Sequence, residues 1–312
     1  MSLISLLIKI NDFINQIGSS IMKTLLRLNG AIIGKNCFVS FSSRIVSRNL
    51  VIGNDVIIKS GVNIKSPKVE IGNSCIISED CYITGNSEFK IGNTTFIGKK
   101  VRINLSKNVT IGKDVGVGEN SVIWTHGYFP PADEGFPVTY KPVIIMDGTW
   151  VSTNIIILPG VILGKNTIIG AGSVVTKSFD DNSLIAGNPA KYLKNTNELK
   201  SDKGFIEIMK DIFSNYSELN LLEEDLNFLV YQIEGIKVYV LSKNNNFDKS
   251  QINPKNSIVL FKGIESSDFF KINNYNWFDL TERKSKNNSL KESKLINKIL
   301  RDWGIRLVVE YS

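Results

Sequence analysis

The chain contains one histidine, His126, and its imidazole is the first side chain to consider for chemistry. An imidazole has an ordinary pKa of about 6.5, so it exchanges a proton readily near neutral pH. It can therefore take the proton from a hydroxyl that attacks a carbonyl, which typically accelerates such a reaction by about 10²–10⁴-fold. Two aromatic residues, Trp124 and Tyr128, flank it and could stack on the face of a sugar. His126 is therefore a candidate general base, with a purely structural histidine as the alternative.

The elements that must position His126 are predicted by a series of aliphatic residues spaced mostly six residues apart. The series is Ile52, Ile58, Ile64, Ile71, Ile77, Ile83, Ile91, Ile97, Ile103, Ile111, Val117, Ile123, Ile145, Val151, Ile157, Leu163, Ile169 and Val175. A short fixed period predicts a solenoid of short strands, three units to a coil, with these side chains inside. Extra residues at Ser66–Pro67, Gly85–Asn86 and Ser106–Lys107 predict bulged corners along one edge. His126 lies where the period breaks for a loop over 127–142, whose prolines argue against strands.

The pattern divides the chain into three segments. We expect an amphipathic helical cap over residues 1–30 and the repeat region over residues 31–194. Residues 195–312 are expected to form a small α/β or α+β appendage. In the appendage, the apolar pattern predicts helices over 205–213 and 290–303 and strands over 228–233, 236–241, 257–261, 277–281 and 305–310. No chemical motif in the appendage indicates its role.

The N-terminal segment has apolar residues at helical spacing, and glycine and serine at 18–20 predict a bend or break. The apolar residues are Leu3, Leu6, Leu7, Ile10, Ile14, Ile17, Ile21, Leu25 and Leu28. A spanning helix needs about 20 mostly apolar residues in a row, which this segment lacks. We expect the helix to cover the open end of the solenoid. The alternative is a helix that lies on a membrane surface through Lys9, Lys23 and Arg27.

Composition is that of an ordinary soluble globular protein, with 42% hydrophobic and 21% charged residues. The net charge of +7 and the isoelectric point near 9.1 favour anionic partners. The basic residues are spread along the chain without a nucleic-acid motif, so we do not expect nucleic acid as a partner. Cys37, Cys75 and Cys81 each follow an inward aliphatic residue by four positions, which predicts small buried side chains rather than disulfides or a metal site. These features predict a reducing, cytoplasmic setting and no bound metal.

The segment from His126 to Lys194 carries a long specific pattern. It comprises His126 before the loop, Pro142, Asp147–Ser152, Ile157–Val161, Ile169–Lys177 and Ala186–Lys191. It resembles the hexapeptide-repeat acyltransferases, the group of galactoside, maltose and xenobiotic acetyltransferases with their polysaccharide O-acetyltransferase relatives. The resemblance implies a mainly β fold, a left-handed parallel β-helix that forms homotrimers, and acetyl-CoA as co-substrate. The sequence departs from the family at Ser152, where glycine is usual, and in the appendage from Asn195 onward.

The resemblance also implies roles for individual residues. His126 corresponds to the family's general base. A tetrahedral oxyanion needs an aimed hydrogen-bond donor, and the backbone N–H of Thr153 matches the position that supplies it while contacting the pantetheine arm. A carboxylate of Asp133 or Glu134, or a backbone carbonyl, could orient the imidazole.

Other positions match the family's substrate contacts. Residues that match the CoA arm or lie near its phosphates are Ala171, Thr176, Lys177, Lys191 and Lys194. Asn104 matches an asparagine that contacts the acceptor in the family. The aromatic residues Trp124, Tyr128 and Trp150 are further candidate acceptor contacts that the resemblance does not assign. Of these, Trp150 is more readily explained as structural than as catalytic.

These observations predict an O-acetyltransferase that moves acetyl from acetyl-CoA to a sugar hydroxyl. We expect the acceptor to be a bacterial surface polysaccharide (O-antigen, capsule or exopolysaccharide) or its lipid-linked repeat unit. One alternative is a small acceptor, through N-acetylation of an amino-sugar nucleotide or O-acetylation of a xenobiotic. Another is a non-catalytic trimeric scaffold. The expected location is the cytoplasm, with peripheral contact at the inner face of the membrane as an open alternative.

Overall fold

The computed structural model describes residues 3–127, 130–243, 252–254, 257–263, 276–281, 284–286, 291–303, 305 and 307–310. The chain forms two compact units, residues 1–200 and residues 201–312. The first unit includes both the N-terminal segment and the repeat region.

The first unit is a coil of short strands that fall into three sheets in strict rotation. It begins with the helix α1 (Leu3–Leu28). Five coils follow: β1 (Ile32–Ile33), β2 (Phe38–Val39), β3 (Arg44–Val46), β4 (Asn49–Ile52), β5 (Ile57–Ile58), β6 (Asn63–Lys65), β7 (Lys68–Ile71), β8 (Ile76–Ile77), β9 (Tyr82–Gly85), β10 (Phe89–Ile91), β11 (Phe96–Ile97), β12 (Arg102–Leu105), β13 (Val109–Ile111), β14 (Gly116–Val117) and β15 (Val122–Ile123).

A loop with its own short strand pair interrupts the coil before it resumes. The loop strands are β16 (His126–Gly127) and β17 (Thr139–Tyr140). Two further coils and a closing strand pair are β18 (Val143–Ile145), β19 (Trp150–Val151), β20 (Ile156–Ile157), β21 (Ile162–Leu163), β22 (Ile168–Ile169), β23 (Val174–Val175), β24 (Ser183–Gly187) and β25 (Ala190–Asn195).

Each strand of the coil pairs in parallel with the strand one coil earlier. Sheet A contains β1, β4, β7, β10, β13, β18 and β21; sheet B contains β2, β5, β8, β11, β14, β19, β22, β24 and β25; sheet C contains β3, β6, β9, β12, β15, β20 and β23. The predicted fold class, a mainly β parallel β-helix with an N-terminal helix and an α/β appendage, is confirmed. The left-handed winding is the one that the family resemblance implies.

The aliphatic series forms the core of the coil, as predicted. Every one of its eighteen residues is at most 3% exposed. Parallel pairing brings each side chain onto its equivalent one coil away, for example Ile103 onto Ile123. Asparagine corners such as Asn154 and Asn166 adopt positive φ angles of 57° and 56°, the left-handed backbone that a tight turn requires.

The three cysteines are buried thiols inside the corners, as predicted. Cys37, Cys75 and Cys81 each donate to a glycine carbonyl of the next coil at 3.0 Å. Burial raises the pKa of the Cys75 thiol to about 12 and that of Cys81 to about 11. Both thiols therefore stay protonated and unreactive at neutral pH.

The helix α1 lies on the open edge of the first coil. Its uninterrupted course shows that the predicted break at residues 18–20 is wrong. Ser19 is buried, and its hydroxyl accepts a hydrogen bond from the Val39 N–H at 3.0 Å. A serine that bonds to the neighbouring strand does not compete for the helix's own backbone. Among the described helices, none is both long enough and apolar enough to cross a membrane.

The second unit is a mixed sheet with helices. Its described elements are α2 (Phe205–Phe213), β26 (Asn220–Glu224), β27 (Phe228–Ile233), β28 (Ile236–Leu241), β29 (Ser257–Phe261), β30 (Asn276–Asp279), β31 (Lys284–Lys286), α3 (Lys291–Asp302) and β32 (Val308–Glu310). The seven strands follow one another across the sheet in chain order. Most of the predicted elements are present, but β26 and β31 were not predicted. All five residues of β26 are exposed, so it lacks the apolar alternation that marks a strand.

Candidate active site

His126 lies at the corner between sheets C and A, directly after the fifth coil. It is half-buried and pairs across β16 and β17 with Tyr140. The prediction that the loop holds no strand is therefore wrong for Thr139–Tyr140, which lie between the proline-rich part of the loop and Pro142. The antiparallel pairing fixes the backbone on which the imidazole is carried.

The Nδ1 atom of His126 lies 2.9 Å from the side-chain oxygen Oδ1 of Asn104. The same oxygen accepts a hydrogen bond from the Ser106 N–H at 3.1 Å and from the Thr125 hydroxyl at 2.8 Å. A backbone N–H can only donate, so the Asn104 atom at the centre of these contacts is the oxygen rather than the amide nitrogen. An amide oxygen cannot donate, so Nδ1 carries the proton of this hydrogen bond. The neutral imidazole then keeps its acceptor lone pair on Nε2.

This arrangement replaces the expected orienting group. Asp133 and Glu134 lie in a short 3-10 helix (Ala132–Glu134) in which every residue is exposed. The acceptor on Nδ1 is instead the amide of Asn104, with the Ser106 hydroxyl at 3.3 Å as a second neighbour. Asn104, which was predicted to contact the acceptor sugar, therefore lies on the Nδ1 side of the imidazole.

The coil register explains how these residues meet. Arg102 pairs with Val122, so residues about twenty apart stack on adjacent coils. The extra residues at 106–107 bulge outward at the same corner and bring Ser106 beneath His126. The Lys107 N–H donates to the Thr125 hydroxyl at 3.0 Å and holds the bulge against the next coil. Ser106 was not predicted as a site residue. It lies one coil length, twenty residues, before His126, and that spacing alone would have indicated the contact.

Aromatic side chains border the imidazole. The Trp124 ring meets it edge-on at 5.4 Å between centroids, and the Tyr140 ring stacks on it at 6.2 Å. Trp124 is 39% exposed and Tyr140 44%, so both offer ring surface to solvent. Tyr128 lies outside the described residues. Tyr140 was not predicted, because its place depends on the strand pairing inside the loop.

A second group of predicted residues lies on the edge between sheets B and C. Thr153 and Ala171 are exposed and stack on adjacent coils, where the Gly172 N–H donates to the Thr153 carbonyl at 3.1 Å. Within the described residues, the Thr153 N–H has no hydrogen-bond acceptor. Lys191 follows on the same edge, opposite Ala186 in the pairing of β24 with β25. A backbone N–H without a protein partner, on an exposed residue such as Thr153, can donate to a ligand oxygen.

The family departure at Ser152 causes no backbone strain. Ser152 does not have a positive φ angle, so the corner accepts a side chain. Its carbonyl accepts a hydrogen bond from the Ser121 hydroxyl of the previous coil at 3.1 Å.

The remaining predicted residues are distributed over other parts of the coil. Thr176 and Lys177 follow β23 on the edge of His126, two coils further on, and the Lys177 ammonium lies 5.6 Å from the centroid of the Phe179 ring. Trp150 begins β19 in sheet B and is 56% exposed. Lys194 is half-buried opposite Leu184.

Two edges of the coil therefore carry the two halves of the predicted site. The six residues from Thr153 to Leu158 cross sheet C from one edge to the other, and the five steps between them span roughly 17 Å at the rise of a β-strand. A single chain thus leaves the His126 imidazole and the Thr153 N–H on separate corners. Within the described residues, no cluster of three or more histidine, cysteine or acidic side chains could hold a metal ion.

The repeat region is similar to several known acetyltransferases. Residues 142–177 match the family model of the bacterial transferase hexapeptide (six repeats). The chain is 29% identical over 125 residues to the provisionally named colanic acid biosynthesis acetyltransferase WcaF of Escherichia coli, which covers 40% of this chain and 68% of that protein. It is 31% identical over 132 residues to the galactoside O-acetyltransferase of Lactococcus lactis, which covers 41% of this chain and 64% of that protein.

A solved structure is also among the matches. A hexapeptide-repeat acetyltransferase from Vibrio cholerae in complex with acetyl coenzyme A is 24% identical, with a TM-score of 0.34, and covers 44% of this chain and 70% of that one. The predicted resemblance to the hexapeptide-repeat acyltransferases is confirmed by the family match and the acetyltransferase relatives. The repeat region is therefore similar in sequence to the hexapeptide-repeat acetyltransferases.

Proposed function

We propose that the protein transfers an acetyl group from acetyl-CoA to a sugar hydroxyl, with His126 as general base. The observation that carries this proposal is the hydrogen bond between the imidazole Nδ1 and Asn104 Oδ1 at 2.9 Å. It leaves Nε2 as the basic atom of the neutral ring, beside an exposed aromatic border.

The reaction follows from these groups. The acceptor hydroxyl gives its proton to Nε2 while its oxygen forms a bond to the acetyl carbonyl carbon. The imidazole becomes a cation, and the Nδ1–H bond to Asn104 stabilises it. When the carbon–sulfur bond breaks, the proton on Nε2 passes to the departing thiolate, so the base returns to its neutral state. The Thr153 N–H supplies a donor for the carbonyl oxygen, whose negative charge grows during the attack.

The active assembly is a homotrimer in this proposal. The His126 corner and the Thr153 edge lie on opposite sides of sheet C, so one chain cannot bring them together. A neighbouring copy that presents its edge of sheets B and C to the His126 corner would supply the Thr153 N–H. Cyclic symmetry then repeats the same contact at each interface. Ala171 and Lys191 would extend the binding surface for the CoA arm along the same edge.

The acceptor is a glycan, in this proposal a bacterial surface polysaccharide or its lipid-linked repeat unit. The exposed rings of Trp124 and Tyr140 beside the base suit a sugar face, since aromatic rings offer apolar surface with little loss of conformational freedom. The name of the relative WcaF, which refers to colanic acid biosynthesis, supports the same substrate class.

The experiment compares wild-type protein with His126→Ala. Proton NMR of the surface polysaccharide reports the O-acetyl signal in cells, and CoA release from acetyl-CoA reports turnover with that polysaccharide in solution. We expect a loss of about 10²–10⁴-fold in rate, the usual contribution of a general base. Lys113→Ala, at an exposed corner between sheets A and B, is the matched control and should keep full activity. Full transfer by a folded His126→Ala protein would show that the imidazole is not the base.

A further inference from the structure

The helix α1 exposes an apolar surface that faces solvent. We define the apolar stripe as Phe13, Ile14, Ile17, Ile21, Leu25 and Leu28. These six side chains are 46% exposed or more, and Phe13 and Leu28 reach 66% and 79%. The sequence continues the same spacing toward the N-terminus through Ile10, Leu7, Leu6 and Leu3. Contiguous exposed apolar surface of this kind marks an interaction site.

The opposite face of the helix explains why the stripe is exposed. Besides Ser19, the Lys23 ammonium donates to the Cys37 carbonyl at 2.8 Å, and the Arg27 guanidinium donates to the Ile33 carbonyl at 3.1 Å. These carbonyls lie on the free edge of the first coil, which has no earlier coil to pair with. An uncovered strand edge needs hydrogen-bond partners, so the face of α1 that meets the solenoid combines these polar groups with Met22 and Leu26, which pack against the core.

The stripe therefore points away from the coils, beyond the open end of the solenoid. At about 100° per residue, the stripe residues cluster on the side of the helix opposite Ser19 and Leu26. Leu26 is buried in the solenoid core. The contacts to the free edge place the helix across the end of the coil, so the stripe forms the outer surface of that end.

Charge is concentrated at the same end. The first 48 residues contain six basic residues and one acidic residue, and so hold five of the chain's seven net positive charges. The basic residues are Lys9, Lys23, Arg27, Lys35, Arg44 and Arg48, and the acidic residue is Asp12. Two copies that packed stripe against stripe would bring two strongly basic ends together. An anionic surface has the complementary charge.

We propose that the apolar stripe binds the surface of an anionic lipid bilayer, with α1 lying in the plane of the interface. Apolar side chains on one face and cations around it are the two features that bind such helices to acidic lipids. Binding of α1 to a lipid surface requires neither His126 nor acetyl transfer, so either proposal can fail while the other holds.

The experiment is co-sedimentation of the full-length protein with vesicles of phosphatidylcholine alone or mixed with phosphatidylglycerol. We expect binding to the mixed vesicles and weaker binding to phosphatidylcholine. Ile17→Gln combined with Ile21→Gln should weaken binding by at least about tenfold, because glutamine keeps helix propensity but removes apolar surface. The matched control changes two exposed leucines of the second unit, Leu222→Gln and Leu226→Gln, and should bind as wild type does.

A second variant tests the electrostatic part. Arg44→Gln with Arg48→Gln removes two exposed cations of the first coil and should weaken binding to the mixed vesicles by about fivefold per charge. Circular dichroism and size-exclusion chromatography establish that each variant is folded. No binding of wild-type protein to the mixed vesicles would overturn the proposal. So would a smaller assembly size in the stripe variant without vesicles, which would assign the stripe to contact between copies.

Discussion

Replacing Asn104 by alanine tests whether the amide oxygen prepares His126 for catalysis. In the wild-type protein, Nδ1 of His126 lies 2.9 Å from Asn104 Oδ1. In the proposed reaction the imidazole becomes positively charged as it takes the proton, so this hydrogen bond would grow stronger during the reaction. Asn104→Ala removes the acceptor and leaves the ring free to turn or to take the other tautomer. The cost should therefore fall on kcat more than on KM.

The magnitude follows from the bond that is lost. A hydrogen bond to a charged group contributes about 1.5–3 kcal/mol, and each 1.36 kcal/mol changes a rate about tenfold. The expected fall in kcat is therefore about 10-fold to 150-fold. The change also leaves the Ser106 N–H and the Thr125 hydroxyl without their shared acceptor. We expect a loss of about 1–3 kcal/mol in unfolding free energy, measured by denaturant titration.

The matched control is Asn104→Asp, which keeps an oxygen acceptor at the same place. A negative charge beside the imidazole favours its protonated form and raises its pKa. As the pH is lowered, the imidazole is then protonated, and so inactivated as a base, at a higher pH than in wild type. The acid limb of the kcat profile should therefore shift to higher pH, while the plateau stays near the wild-type rate. This shift of the acid limb separates a role in orienting the base from simple structural support. Structural support alone would leave the pH profile of kcat unchanged.

The assay is steady-state CoA release over a range of pH, at saturating acetyl-CoA and acceptor. Folded Asn104→Ala protein with the kcat of wild type would refute the reasoning about the tautomer. An unshifted acid limb in Asn104→Asp would also contradict it, because the carboxylate would then not act on the catalytic imidazole.

The other predictions concern assembly and reactivity. If each site combines His126 of one copy with Thr153 of the next, co-expression of His126→Ala with Thr153→Pro should restore up to about a quarter of wild-type activity. Random mixing of the two variants leaves that share of the interfaces with both residues intact. Activity no higher than that of either variant alone would place the site within one chain. In iodoacetamide labelling of the folded protein near pH 8, the raised pKa values lower the thiolate fraction about a thousandfold at Cys75 and a hundredfold at Cys81 relative to a thiol of pKa 9.0. Rapid labelling of either cysteine before unfolding would show that its thiol is not buried in the solution structure.

The sequence predicts the core more completely than the site. The aliphatic series sets the core because a side chain such as Ile103 recurs at a fixed coil position whatever the loops contain. The partner of His126 depends on a bulge of two residues and on which atom of Asn104 faces the ring, and neither has a periodic signal. For α1, the apolar spacing predicts an amphipathic helix but not the face that meets the solenoid. The free strand edge decides that, because its carbonyls take Lys23 and Arg27 as partners.

The positions of the two proposed surfaces suggest how an acceptor could reach the base. His126 follows the fifth coil, so it lies about 19 Å beyond the first coil at the usual spacing of paired strands. Along the same corner lies a depression of about 490 Å³ lined by polar and basic side chains, among them Ser47, Arg48, Lys65 and Asn86. A glycan attached to a membrane lipid would extend past this depression before meeting Nε2. Docking through α1 would therefore favour acetylation of sugars some distance from the lipid over the sugar directly attached to it.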